Sequence, residues 1–162
     1  MNTPTIRPAT EQDIEGMILL YTEFHKFHVR GVPDRLRTPD TSDDTSTQDA
    51  LRELLQREDA QIFVADLEGT LVGLAEVYVR EDEPNPFIVA HRYGHLQSLI
   101  VTESLRKIGL GKQLVMATHR WAKEQGATEM QLDIWEFAEG PQHFYTALGY
   151  RPLKRHLVID LD

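Results

Sequence analysis

The stretch SLIVTESLRKIGLGKQL, residues 98–114, constrains the chain more than any other. An apolar run at Leu99–Val101 gives way to a short basic loop with glycines at 109 and 111, and a helical pattern follows. Glycines at a strand-to-helix junction can serve only a tight turn. This loop offers more, because the start of a helix exposes unpaired backbone N–H groups and the positive end of its dipole, which together attract an anion. Arg106, Lys107 and Lys112 add cations, opposed locally only by Glu103, on a chain whose formal net charge is -9. Without side chains at 109 and 111, backbone amides could close around a phosphate group. Two familiar phosphate motifs do not fit. A Walker loop needs glycine where Arg106 stands and Ser or Thr where Gln113 stands, and a dinucleotide fingerprint needs glycine in place of Leu114.

The rest of the chain reads as one set of elements around that loop. Thr5–Thr10 is a short strand ending in a cap, with Thr10 and Asp13 spaced as a capping box. Ile14, Met17, Ile18, Tyr21 and Phe24 recur at helical spacing. Arg30–Ser46 is rich in turn formers and reads as a loop, and a second helix after Ser46 or Thr47 buries Leu51, Leu54 and Leu55. Gln61–Asp66 and Leu71–Arg80 form a hairpin around Glu68-Gly69, and the prolines of Glu81–Ala90 stop its second strand. Tyr93–Val101 is a strand, Gly109–Gln125 a helix closed by Gly126, and Thr128–Trp135 a strand with alternating Met130, Leu132 and Ile134. Pro141–Leu148 is a short helix closed by Gly149, and Arg151–Asp162 a last strand. Mixed strands and helices without strict alternation predict an α/β fold with a central mixed sheet and helices on its faces. No repeat or linker interrupts residues 1–162, so a single domain is expected.

Composition narrows the function. With no cysteine, disulfides, thiolate metal sites and a cysteine nucleophile are excluded. An acidic surface repels nucleic-acid phosphates. No apolar run approaches membrane-spanning length, and the N-terminus lacks the pattern of a signal peptide. A cytoplasmic protein without nucleic-acid or membrane partners is expected. His25 and His28 lie near one face of the first helix but lack a third ligand, so no metal site is read.

The pattern that fits the loop is Arg/Gln-x-x-Gly-x-Gly/Ala, here Arg106-Lys107-Ile108-Gly109-Leu110-Gly111, preceded by SLIV. It resembles the acetyl-CoA loop of the GNAT N-acetyltransferase superfamily. IRPAT-EQDIEGM is similar to that family's opening strand and helix, FVADLEGTLVGLAEV to its second and third strands, and FYTALGY to its signature near the C-terminus. The resemblance covers nearly the whole chain in the family's order. It implies a sheet that splays open between two parallel strands, Tyr93–Val101 and Thr128–Trp135. It implies acetyl-CoA as cosubstrate, its pantetheine on the backbone of Leu99, Ile100 and Val101. The pyrophosphate would lie on Arg106, Lys107, Ile108, Gly109, Leu110 and Gly111, with Lys112 adjacent. Three departures stand out: Ala138 and Pro141 replace a frequent Asn and Ala, and Lys107 replaces a frequent Gly.

Acetyl transfer to an amine needs a neutral amine, since an alkylammonium titrates near ~10.4, and a proton for the leaving thiolate. The resemblance assigns the proton donor to Tyr145, whose phenol is protonated at neutral pH; read alone, the residue is more readily a packing aromatic, because core aromatics are common. For the base, Glu76 stands mid-strand among Leu74, Ala75 and Val77, where apolar neighbours would disfavour its charged form. His95 shares one strand face with Gln97 and Leu99 by period-two alternation, and Glu136 follows the splayed strand. The expected activity is N-acetylation of a small-molecule or peptide amine by direct attack in a ternary complex. The alternatives are a non-catalytic acyl-CoA sensor of the same fold, which the missing Asn keeps open, and a nucleotide-binding protein. Oligomeric state is open, a homodimer included.

Overall fold

The structure, a computed structural model, describes residues 2–40 and 44–162. The middle of the expected loop Arg30–Ser46, residues 41–43, lies outside them. Strands β1 (Thr5–Pro8), β2 (Ala60–Leu67), β3 (Thr70–Glu81), β4 (Arg92–Val101) and β5 (Glu129–Gln131) form one sheet in that order. The first three pairings are antiparallel and β4–β5 is parallel. The mixed α/β sheet read from the sequence is therefore present. Helices α1 (Ile14–Gly31) and α2 (Asp44–Leu55) cover one face, and α3 (Leu110–Glu124) covers the other, followed by the short α4 (Gln142–Ala147).

Each face has its own apolar cluster. Ile14, Met17 and Leu20 of α1 and Leu51 of α2 pack on Ile62, Val64, Leu74 and Ile100. Leu110, Leu114 and Val115 of α3 pack on Ala65, Val72, Ala75 and Leu96. The β2–β3 hairpin closes through Glu68 (φ 53°) and Gly69 (φ 88°), two left-handed residues whose twist suits a two-residue turn. A bulge between Ala65 and Asp66 leaves Val72 unpaired in the ladder, and its carbonyl instead accepts the Thr102 N–H at 3.0 Å, just past the end of β4.

The start of the chain is pinned by charge. Arg7 on β1 donates to both carboxylate oxygens of Asp13 at 2.8 Å and to Asp66 Oδ2 at 2.8 Å, while the Thr10 N–H reaches Asp13 Oδ2 at 2.7 Å. Asp13 is buried, and the Arg7 guanidinium, helped by Thr10, holds its carboxyl below the usual range against the opposing effect of burial. A depressed carboxyl contributes stability that is full above its unfolded value, near ~3.9, and is lost as pH falls through its lower folded value. Arg7→Leu is expected to destabilise the fold by about 2 kcal/mol at neutral pH, a figure that allows for solvent screening of the partly exposed guanidinium. Urea unfolding should show the gap from wild type narrowing below pH ~4. A gap constant with pH would remove the charge pair from this role.

Two sequence expectations are corrected. The strand expected at Thr128–Trp135 is laddered only over Glu129–Gln131, because residues 132–135 diverge from β4. The last strand expected at Arg151–Asp162 does not form: those residues join no sheet, and all are exposed. No helix is long and apolar enough among the described residues to cross a membrane.

Candidate active site

The site is built at the place where β4 and β5 part. They pair only at Tyr93–Glu129, Gly94–Met130 and His95–Gln131. Beyond His95, β4 is paired among the described residues to β3 alone, which leaves its other edge open from Leu96 through Leu99, Ile100 and Val101. An open strand edge presents unpaired N–H and C=O groups that can take an added extended chain. At the end of β4, Thr102 keeps a buried hydroxyl with no partner among the described residues.

A second bulge alters this strand. Glu76 pairs with Ser98 and Val77 with Leu96, leaving Gln97 as the extra residue. The bulge reverses the side-chain alternation. Leu96 and Leu99 both belong to the α3 side, so His95 lies on the opposite face, across from Tyr78 and alongside Glu76. The expectation that His95 shares a face with Leu99 is corrected by that one inserted residue. His95 is buried, and burial, with Arg80, pushes its imidazole below the usual value.

Next comes the glycine turn. A single 3-10 turn (Glu103–Leu105) leads to Lys107 at φ 68° and Gly109 at φ 87°, which caps α3 without any side-chain hydrogen bond. After the Arg106 N–H, which reaches the Glu103 carbonyl at 3.3 Å, the next amide to find a backbone acceptor is that of Gln113, bonded to the Gly109 carbonyl at 3.1 Å. The amides of residues 107–112 have no partner among the described residues. The two glycines have different reasons. A Cβ on Gly109 would meet nothing within 4 Å, so space is open above a backbone that is left-handed. A Cβ on Gly111 would stand 3.3 Å from the Phe144 ring, so this glycine lets α4 approach α3. Open space therefore stands over the backbone at Gly109, while the Phe144 ring fills it at Gly111. Arg106 is anchored by its Nε–H to the Val101 carbonyl at 3.0 Å, with its guanidinium 5.5 Å over the Phe27 ring of α1. Lys107, Ile108 and Lys112 are exposed around the turn.

Tyr145 lies on α4 and packs against the α3-side cluster that includes Leu110 and Leu114. Its ring meets Tyr150 edge-on at 5.5 Å, and burial pushes its phenol well above the ordinary tyrosine value, so it stays protonated. Its hydroxyl has no hydrogen-bond partner among the described residues. Tyr150, pushed up to about 12 by burial, is already committed to His119 Nε2 at 2.7 Å.

Glu76 is buried on the α1–α2 face, and the environment expected from its apolar sequence neighbours is corrected. Its Oε2 accepts the Tyr21 hydroxyl at 2.5 Å and its Oε1 accepts the Tyr78 hydroxyl at 2.6 Å. Both phenols are shifted up by burial and by the carboxylate, so they remain donors. One bond per oxygen leaves each with a further lone pair. Tyr78 was legible as Glu76's neighbour two residues along one strand face; Tyr21 was not, since its helical spacing reads as core. A cleft of about 410 Å³ opens beside this trio, lined also by Ala50, Leu54 and Arg57. Glu136 is exposed beyond β5 and accepts from Gln142 Nε2 at 3.3 Å, at the start of α4. The C-terminal end of α1 closes against the same segment, with Phe27 and Phe137 rings 5.5 Å apart. His25 and His28 are not brought together: Nε2 of the first meets the Arg37 carbonyl at 2.8 Å and Nδ1 of the second the Phe24 carbonyl at 2.9 Å.

Comparison with known proteins agrees with this arrangement. The model of the acetyltransferase (GNAT) family matches residues 20–150. An aminoglycoside N(6')-acetyltransferase type 1 of Salmonella typhimurium is 30% identical over 136 residues, 81% of this chain and 88% of that one. The BH1408 protein of Bacillus halodurans, solved in a mutant form, is 24% identical and superposes with a TM-score of 0.86 over 97% of this chain and 99% of its own. AAC(6')-Iy in complex with the bisubstrate analogue CoA-S-monomethyl-acetylneamine superposes with a TM-score of 0.75 at 24% identity, over 99% of each chain.

Proposed function

Because the chain belongs to the acetyltransferase (GNAT) family, we propose that it is an acetyl-CoA-dependent N-acetyltransferase acting on a small cationic amine. The observation that carries this reading is the continuity between the open β4 edge at Leu96–Val101 and the unpaired amides of residues 107–112. An amide-bearing pantetheine arm suits the first, and a pyrophosphate suits the second. When bound, acetyl-CoA supplies the activated acyl group.

The chain's own residues divide the remaining work. Leu99, Ile100 and Val101 hold the arm as an added strand, and Gly109 with Arg106, Lys107, Ile108, Leu110, Gly111 and Lys112 holds the phosphates. Glu76 takes the proton of the attacking amine as the C–N bond forms, and Tyr145 gives its proton to the sulfur as the C–S bond breaks. His95 and Glu136 flank the same opening and relay protons to solvent. The cleft beside Glu76, with Glu53 also on its wall, has the size of a small-molecule pocket and favours a cationic acceptor. That fits the aminoglycoside substrates named for the relatives.

The experiment is acetyl-CoA titration followed by thiol-release assays across aminoglycosides, polyamines and peptide N-termini. Amine-independent binding without thiol release would make the chain an acyl-CoA-binding module. Glu76→Gln is expected to lower turnover at neutral pH, with partial recovery at high pH where more of the amine is neutral. A loss that is the same at every pH would make Glu76 a positioning residue.

A further inference from the structure

The helix that carries Tyr145 has six residues, too few to be stable by itself. Its neighbours fix it. The Tyr145 ring is gripped edge-on from two sides, with 5.1 Å between centroids to Phe144 and 5.5 Å to Tyr150. Each gripping ring rests on α3. Phe144 lies over Gly111, where a Cβ would stand 3.3 Å from the ring. Tyr150 reaches His119, with its hydroxyl 2.7 Å from Nε2 and the two rings 5.8 Å apart. Gly111, Val115 and His119 follow at intervals of four along α3, so the two supports stand about 12 Å apart on one helix. The backbone tightens the second support: the Tyr150 N–H returns to the Tyr145 carbonyl at 3.0 Å, around Gly149 at φ 94°.

His119 is a half-buried imidazole that no step of the proposed transfer uses. Tyr150 is its one side-chain partner among the described residues. Burial holds the imidazole below the usual histidine value and the Tyr150 phenol above the usual tyrosine value, so both are uncharged at neutral pH. We propose that His119 is a positioning residue for Tyr145: through Tyr150 it fixes the direction of the phenol. It does so from the same helix that opens on the phosphate turn, which ties the proton donor to the cofactor's place. The proposal rests on the reading of Tyr145 as that donor. A donor must come within hydrogen-bond reach of the sulfur, and an error of about 1 Å in such a placement costs up to roughly 10²-fold. The Tyr145 hydroxyl has no partner of its own among the described residues, so the grip on its ring is what aims it.

The test joins kinetics to a fluorine spectrum of the full chain. His119→Leu removes the partner of Tyr150, and Tyr150→Phe keeps the ring and removes the hydroxyl. Both should lower kcat on the order of tenfold with KM for acetyl-CoA and amine unchanged, and His119→Gln, which can still meet the hydroxyl, should keep most of the rate. In a Tyr145→Phe background His119→Leu should cost nothing more, because its effect passes through the phenol already removed. Additive losses, or a wild-type rate in His119→Leu, overturn the proposal. With 3-fluorotyrosine incorporated throughout, the resonance missing from Tyr145→Phe identifies Tyr145. It should shift or broaden in folded His119→Leu, while those of Tyr21, Tyr78 and Tyr93 stay in place. This signal needs no turnover. If wild type releases no thiol with any amine, the donor reading falls, and the spectrum alone decides: a displaced Tyr145 resonance upholds the positioning and an unmoved one overturns it.

Discussion

Gly109→Val is expected to abolish acetyl-CoA binding in a chain that remains folded. The backbone there has φ 87°, and a Cβ would meet no protein atom within 4 Å. The protein therefore has no steric reason to reject the side chain. The strain of a β-branched residue in the left-handed region is about 1–2 kcal/mol, which an ordinary domain tolerates. What the valine does occupy is the open space over the amides of residues 107–112, where the phosphates are proposed to sit. Calorimetric titration with acetyl-CoA, alongside a thermal melt, separates the two effects. Wild-type affinity in a folded variant would detach this turn from the cofactor.

Tyr145→Phe should lower turnover on the order of 10²-fold while leaving acetyl-CoA affinity little changed. The substitution keeps the ring that packs against Tyr150 and the α3-side cluster, and removes only a hydroxyl that makes no hydrogen bond to a described residue. No internal bond is lost, so stability should hold. The hydroxyl's candidate task is donation to the leaving sulfur, and its protonated state is secured by burial. Rates must be read where chemistry limits turnover; wild-type rates there would return Tyr145 to a packing role.

Much of the fold was legible because local chemistry and tertiary context agree. Glu68-Gly69 supplies the left-handed pair its hairpin needs, Gly126 and Gly149 close their helices at positive φ, and Thr10 with Asp13 forms the expected start. The glycine loop was legible because it interrupts two strong patterns at once. Three features were not. One inserted residue at Gln97 moves His95 to the other face, and bulges leave no mark in an alternation that reads smoothly without them. Tyr21 reaches Glu76 from 55 positions away, through helix packing that spacing alone cannot assign a polar purpose. The alternation of residues 151–162 reads as a strand, yet pairing needs a partner, and among the described residues there is none.

The open edge of β4 and the start of α3 are proposed to hold acetyl-CoA for transfer to an amine approaching beside Glu76. Free-thiol release, followed with acetyl-CoA and a panel of small cationic amines, tests it most directly when wild type and Tyr145→Phe are run side by side. The expected result is thiol release that requires the amine, matches the acetylated product mole for mole, and falls on the order of 10²-fold in the variant. Saturable acetyl-CoA binding with no amine-dependent thiol release from any member of the panel would contradict it.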